Sequence, residues 1–313
     1  MQKKRLFTGL QPSGALHIGN YFGVLKPFVG MYEEYDSMLM VADYHALTTL
    51  RNPEQLRVNI MDVVRDYVAV GVDPKKGVIF QQSDVPAHTE LTWIFNTLVT
   101  MSFLELAHAY KDKEARGLET NVGLFDYPVL MACDIMLYDT AVVPVGQDQK
   151  QHVEYSRDIG GKFNNAFGET FVLPKEHIMK EQAIVPGTDG KKMSKSYGNT
   201  IPLFGTKEEI QKAVMSIVTD SGNDIPANVY NIHKLFKSEA ALAPLYEANK
   251  GKYKALKDAL IEDIEAVIAP MRERRERITD ADVKMILKDG AARASELAEA
   301  KMKDVRKKVG VTI

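Results

Sequence analysis

Residues 5–20 read RLFTGLQPSGALHIGN, and the order of events in that stretch decides the fold. Arg5 to Thr8 has the character of a short strand, Gly9 to Gly14 is rich in turn formers, and an apolar helical pattern follows Asn20. A strand, a glycine-bearing turn and a helix start are the parts of a phosphate or nucleotide site, because free backbone N–H groups and the helix dipole both favour an anion. A tight strand-to-helix turn with no ligand would use the same glycines. It would not require Gln11, Ser13, His17 and Asn20, four hydrogen-bonding side chains within ten residues, nor Gly19, which lets a ligand lie close to the backbone.

Outward from that stretch, short apolar runs alternate with longer helical patterns through the first 175 or so residues. This alternation predicts a parallel sheet flanked by helices. The further strand candidates are Ser37 to Ala42, Gly77 to Gln81 and Ala141 to Val145. Between them, Asn52 reads as an N-cap with Pro53 at the first helical position, and the stripe Leu56, Ile60, Val63, Val64, Tyr67 runs until Gly71 stops it. After about residue 190 lysine, glutamate and alanine replace glycine and proline, and strand patterns cease. There Thr206 and Glu209 form a capping-box pair, and Ala298, Met302, Val305 and Val309 make an apolar stripe. The expected organisation is α/β: a Rossmann-like parallel-sheet nucleotide-binding domain over residues 1–190, then a C-terminal helical domain over 191–313.

Three further clusters carry chemistry. Residues 190–199, GKKMSKSYGN, place lysines in a turn-rich link between the two parts. They suit transient neutralisation of phosphate charge, although a solvated basic loop would look the same. Residues 127–138 read as a helix in which Asp126 caps and Pro128 sits in the first turn, with Tyr127, Met131, Asp134 and Tyr138 along one face. Asp134 is costly to bury in so apolar a run without a donor, so either a structural partner or a ligand N–H satisfies it. Residues 143–152 and His45 add polar groups at the carboxyl ends of two strands, the edge at which open α/β sheets bind ligands.

Composition bounds the rest. With 40 basic and 42 acidic side chains the formal charge is −2, so any nucleic-acid contact must be local. The single cysteine, Cys133, excludes an intrachain disulfide framework and fits a reducing cytosol. No apolar h-region follows Met1 to Phe7, and no apolar run reaches the length of a membrane helix, so a cytoplasmic location without membrane contact is expected.

His17-Ile18-Gly19-Asn20 resembles the HIGH signature, and Lys192-Met193-Ser194-Lys195-Ser196 matches the KMSKS signature, of class I aminoacyl-tRNA synthetases. Within that class, Gly9 to Gly14, Tyr127 to Asp134 and Val143 to Lys150 are similar to the bacterial-type tryptophanyl branch. The likeness spans nearly the whole chain and is strongest over residues 5–200. Asn20 stands where the class signature has histidine, a change common in that branch; an amide still donates a hydrogen bond but cannot become cationic. The segment just before the lysine loop, residues 183–187, aligns poorly with the branch's adenine-contacting segment.

The resemblance implies tryptophan–tRNA ligation: formation of tryptophanyl-adenylate and pyrophosphate from L-tryptophan and ATP, then transfer to the 3′ terminal ribose of tRNA(Trp). It implies His17, Asn20, Lys192 and Lys195 as catalytic groups. Gln11, Pro12, Ser13, Gly19, Asn20, Gly146, Gln147, Asp148, Ile184, Lys192, Met193, Ser194, Lys195 and Ser196 would bind ATP, whose phosphates carry Mg²⁺; no protein-held metal or prosthetic group is expected. Asp134 would take the indole N–H, with Phe7, His45, Tyr127, Met131 and Gln149 completing the tryptophan pocket. A homodimer is implied, with residues about 50–125 as the interface insertion and Leu91 to Leu106 the stretch for the contact, unless that stretch is internal core. The helical region would bind the tRNA anticodon, its last helix packing back on the catalytic domain, and Arg272, Arg274, Arg275 and Arg277 are a candidate tRNA contact. A tyrosyl enzyme shares the fold and an Asp on this helix, but Met131 offers an apolar wall where a phenol-binding pocket has a glutamine. Two other classes remain: a synthetase-like RNA-binding protein without catalysis, and a nucleotidyltransferase that uses no tRNA. A tRNA charging assay separates them.

Overall fold

The computed structural model describes residues 3–106, 121–145, 150–178, 185–219 and 224–312. Among these, β1 (Arg5–Leu10), β2 (Asp36–Val41), β3 (Gly77–Gln81), β4 (Val142–Val145) and β5 (Lys175–Ile178) form one parallel sheet in the order β3-β2-β1-β4-β5. Helices α1 (Ile18–Asn20), α2 (Pro53–Ala69), α3 (Ala87–Asn96), α4 (Val122–Met136), α5 (Lys150–Phe167), α6 (Lys207–Met215), α7 (Tyr253–Glu276) and α8 (Asp280–Val309) follow one another along the chain. Parallel strands need crossovers, and crossover helices cover both faces of the sheet, so the strands read as unbroken apolar runs. Accordingly Met38, Leu39, Met40 and Val41 are all buried. Leu6, Leu39, Val41 and Ile79 enter the core on one face, and Phe7, Met38, Met40 and Phe80 enter that on the other.

Strand order reverses beside β1. The chain runs from β1 out to β2 and β3, then returns to add β4 and β5 on the opposite side. Such a switch point leaves a crevice beyond the carboxyl ends of β1 and β4, where neither crossover covers the sheet.

The strands expected from the sequence are present with ends shifted by a residue or two. β5 is additional: Lys-Glu-His-Ile has a single apolar residue and lies at the sheet edge, so no apolar run announced it. The caps behave as the residue types demand. Asn52 accepts from the N–H groups of Glu54 and Gln55, both at 3.0 Å, and Gly71 ends the segment at φ +117°. Thr206 and Glu209 form the capping box of α6. The start of α4 differs from expectation. Its cap is Asn121, whose side chain accepts from Leu124 N–H at 2.9 Å, so Asp126 and Pro128 both lie inside the helix. Asp126 instead accepts from the Asn96 amide at 3.0 Å.

The helical region beyond residue 190 packs into both cores. Ile210, Leu260, Ile264 and Val283 join the face that holds Leu6 and Leu39, whereas Ala294, Ala298, Met302 and Val305 join the face that holds Phe7 and Met40. α8 changes sides by crossing the edge strand β3 at Gly290, where a Cβ would stand 1.7 Å from the carbonyl oxygen of Ile79. Only glycine permits that approach, and the crossing also covers the sheet edge.

Two surface expectations are revised. Of the arginine cluster on α7, Arg272 pairs with Glu265 at 2.8 Å, Arg274 donates to the carbonyl of Ala69 at 2.8 Å, and Arg275 pairs with Asp66 at 2.6 Å and Asp62 at 2.8 Å. These three bond within α7 and to α2, and Arg272 and Arg275 are half-buried; Arg274 and Arg277 remain exposed. The stretch Leu91 to Leu106 divides: Leu91, Phe95 and Leu104 are core, while Trp93 is 74% exposed and Met101 and Leu106 are exposed. Among the described residues no helix is long and apolar enough to cross a membrane.

Candidate active site

A cavity of about 520 Å³ opens at the switch point. Its floor comes from Phe7, Gly9, Leu10 and Gln11 at the end of β1 and from Val143 and Pro144 of β4, and one wall is the α4 face of Leu124, Tyr127, Met131 and Asp134. His45 and His152 complete the polar lining together with Thr48 and Thr49. A mostly apolar concavity with a few convergent polar groups is the ordinary form of a small-molecule site. Six of the residues singled out from the sequence, Phe7, Gln11, His45, Tyr127, Met131 and Asp134, meet here although they come from three separate segments. Phe7 is held by stacking on Tyr138, with ring centroids 5.7 Å apart, and the Tyr127 hydroxyl meets His152 Nε2 at 2.9 Å. Burial, with Tyr155 nearby, pushes the Tyr127 phenol up to about 12.

Asp134 is buried at 1% exposure and is well supplied with donors. Its Oδ1 accepts from Gln82 Nε2 at 2.8 Å and meets His88 Nδ1 at 2.6 Å, and its Oδ2 meets His45 Nε2 at 2.8 Å. Burial alone would raise the carboxyl pKa, but the hydrogen bonds from His45 and His88 outweigh it and hold Asp134 at about 2. The carboxylate is therefore ionised and acts only as an acceptor.

The two signature segments sit together beside the cavity. His17 caps α1, and its backbone N–H donates to Asn20 Oδ1 at 3.0 Å. The His17 ring is buried; its Nδ1 has no hydrogen-bond partner among the described residues. Burial, and then the charge of Lys195, lowers its pKa to about 4, so the imidazole is neutral at physiological pH. A Cβ on Gly19 would stand 2.8 Å from His17 Nδ1 and 3.4 Å from Met193 Cβ. In the direction of a Cβ, the space at Gly19 is thus taken by the imidazole and by the lysine loop. Lys195 Nζ donates to the carbonyls of Ser13 at 3.2 Å and Gly14 at 2.9 Å, tying the lysine loop to the first turn. Partial burial lowers the Lys195 pKa against the opposing pull of Asp66.

Inside the lysine loop, buried Asn199 accepts from Ser194 N–H at 2.8 Å and donates to Asp189 at 2.7 Å and to the Lys192 carbonyl at 3.1 Å. Gly187 packs on it so closely that a Cβ would lie 2.3 Å from its amide nitrogen. Lys192 and Ser196 are exposed. On the opposite side of the first turn, Asn59 of α2 donates to the Pro12 carbonyl at 3.0 Å, and Gln11 donates to the His45 carbonyl at 2.9 Å.

None of His17 to Asn20 or Lys192 to Ser196 lines the cavity itself. Gly146, Gln147, Asp148, Gln149 and Ile184 lie outside the described residues. Sequence reasoning passed over Gln82, His88, Asn59 and Asn199. For Gln82 a signal existed: it follows the last residue of β3, one more polar group at a strand end. For His88 there was none, since a lone histidine in the first turn of an amphipathic helix reads as packing.

The chain matches the family model of tRNA synthetases class I (W and Y) over residues 1–289. It is 47% identical to the tryptophan–tRNA ligase of Fusobacterium nucleatum, covering 98% of this chain and 98% of that protein. It is 46% identical to the tryptophan–tRNA ligase of Rhodopirellula baltica, covering 98% and 99%. Among solved structures it is similar to a tryptophanyl-tRNA synthetase from Campylobacter jejuni complexed with ADP and tryptophan, with 43% identity, 98% of this chain and 99% of that one covered, and a TM-score of 0.92.

Proposed function

The chain belongs to the class I tRNA synthetases of the tryptophan and tyrosine group, and from that membership we propose that it is a tryptophan–tRNA ligase. It activates L-tryptophan with ATP and passes the aminoacyl group to the 3′ terminal ribose of tRNA(Trp). The observation that carries the choice of amino acid is Asp134, an ionised carboxylate at the wall of an otherwise largely apolar cavity beside Met131. Indole N–H is a donor with no acceptor, so it matches a group that only accepts. A phenol oxygen would also need a donor, and Met131 offers none.

In the first step the tryptophan carboxylate attacks the α-phosphorus of MgATP in line, and pyrophosphate leaves; no covalent enzyme intermediate is required. The protein works by holding the reactants together and by stabilising charge on the departing phosphates. Lys192 and Lys195 supply that charge. Lys195 exchanges the carbonyls of Ser13 and Gly14 for phosphate oxygens. His17, neutral at physiological pH, contributes hydrogen bonding, and Asn20 contributes its amide N–H. The remaining ATP contacts are Gln11, Pro12, Ser13, Gly19, Gly146, Gln147, Asp148, Ile184, Met193, Ser194 and Ser196, and Gln149 joins Phe7, His45, Tyr127 and Met131 around tryptophan.

The proposal extends to a homodimer through the segment of residues 50–125, which the exposed Trp93, Met101 and Leu106 support. It extends also to anticodon recognition by the region after residue 190 and to a cytoplasmic location, consistent with a single buried cysteine. Amino-acid-dependent ATP/pyrophosphate exchange with the purified protein tests the reading. Exchange with tryptophan and not tyrosine is expected. Exchange with tyrosine would overturn the pocket assignment, and none with either would remove the activity.

A further inference from the structure

We propose that Tyr138, His88 and Gln82 are positioning residues for amino-acid selection: they saturate one oxygen of Asp134 and leave the other to read the substrate. None of the three lines the cavity. The proposal rests on the reading of Asp134 as the acceptor for the indole N–H.

The direction of every hydrogen bond in the network follows from its outermost members. Gln82, fully buried, accepts at Oε1 from the Tyr44 backbone N–H at 3.1 Å, so its Nε2 must be the atom that faces and donates to Asp134 Oδ1. Tyr138, also fully buried, meets His88 Nε2 at 2.8 Å. Burial and the neighbouring Asp134 push its phenol well above the ordinary range, so it keeps its proton, and with no other acceptor among the described residues it donates that proton to His88 Nε2. With Nε2 accepting, the proton of His88 sits on Nδ1 and is directed at Asp134 Oδ1 at 2.6 Å. The opposite tautomer would face a lone pair to a carboxylate. The His88 ring has no freedom to turn away, because it is fully buried and stacked on Phe80 at 6.1 Å.

An ionised carboxylate offers roughly four acceptor positions. Among the described residues, Gln82 and His88 fill both on Oδ1, and His45 fills one on Oδ2. The position that remains is on Oδ2, the oxygen shared with His45, which lines the cavity alongside Asp134. Without the relay, the carboxyl could rotate or, being buried, take up a proton. Either change turns a fixed acceptor into a group that also tolerates a ligand with no donor.

The experiment compares kcat/KM in ATP/pyrophosphate exchange for tryptophan and for β-(3-benzothienyl)alanine, which has the bicyclic shape of tryptophan with sulfur in place of N–H. Wild type is expected to prefer tryptophan by roughly tenfold or more, the worth of a hydrogen bond to a charged group. Tyr138→Phe and Gln82→Met are each expected to narrow that preference by roughly threefold to tenfold, with KM for ATP unchanged. His88→Gln, which keeps a donor near Oδ1, is expected to retain most of it. A purely structural role would lower both substrates by one factor and leave the ratio as in wild type; that result in the two variants overturns the proposal while the reading of Asp134 stands. A wild-type ratio near one overturns the reading of Asp134 and the proposal with it. Should one of the two narrowing variants fail to fold, the other decides the ratio by itself.

Discussion

Asp134→Asn is the substitution that separates recognition from folding most sharply. The amide has the same shape but only one acceptor oxygen. Gln82 and His88 both donate toward the Oδ1 position, at 2.8 Å and 2.6 Å, so the amide oxygen must occupy that place and the NH₂ must take the place of Oδ2. His45 can adapt by moving its proton to the other ring nitrogen. Indole cannot, because it has a donor and nothing else. Tryptophan thus loses a hydrogen bond to a charged group, about 1.5–3 kcal/mol, and faces a donor it cannot satisfy, about a further 1 kcal/mol. The sum, about 2.5–4 kcal/mol, weakens tryptophan by roughly 70- to 1,000-fold. ATP is expected to bind as in wild type, because Lys195 is held by the Ser13 and Gly14 carbonyls and Pro12 by Asn59, none of which touches Asp134, and Gln11 meets only the backbone carbonyl of His45, not the ring that Asp134 holds. Equilibrium dialysis with each ligand separately, beside a thermal melt, measures this. A tryptophan Kd within about threefold of wild type, or equal losses for tryptophan and ATP, would refute the reasoning.

Three other outcomes are expected. Lys195→Ala slows pyrophosphate exchange by roughly two orders of magnitude or more while tryptophan binding changes little, since its ammonium serves phosphate charge; stopped-flow measurement of adenylate formation checks this, and unaltered kinetics would remove the lysine from the mechanism. For His17, whose pKa falls from 6.5 to about 4 on folding, the unfolded chain binds the proton more readily between those values, so its contribution to stability is present at pH 7 and lost as pH falls. Urea titrations should show wild type losing up to about 2 kcal/mol more than His17→Gln between pH 7 and pH 5; parallel losses would contradict the shift. Gly290→Ala places a methyl group 1.7 Å from the Ile79 carbonyl, which forces α8 off β3 and costs about 3 kcal/mol or more of unfolding free energy in denaturant titration. An unchanged midpoint would mean that the crossing yields freely.

Much of the fold was legible because its signals are local. Strand runs, the Asn52 cap and the Thr206–Glu209 box are decided by residues within one turn of each other, so pattern and structure agree there. Where the pattern misled, a competing local partner was the cause. Asn121 supplies a better-placed cap than Asp126, and a proline already inside a helix reads like one at its start. β5 escaped notice because an edge strand need not be apolar. The arginines of α7 looked like a surface charge run, since nothing in their own helix reveals that Asp62 and Asp66 of α2 face Arg275.

By itself the sequence determined which segments are candidates for the site. The glycine-bearing turn, the lysine loop and the Asp134 face are each contiguous, so residue type at fixed spacing marks them as candidates, and the resemblance implies their roles. Their meeting was decided by the tertiary structure. The strand order β3-β2-β1-β4-β5 puts the end of β1 beside β4, and only that reversal gathers Gln11, His45, Tyr127 and Asp134 around one cavity. The ionisation of Asp134 was likewise decided in three dimensions. Burial alone raises its pKa, and the donors that overcome this come from residues 45, 82 and 88, distant in the chain and brought within 3 Å by the sheet and by α3. Local pattern can show that a buried carboxylate needs a partner; long-range packing supplies the partner, because hydrogen-bond geometry depends on distances that spacing along the chain does not contain.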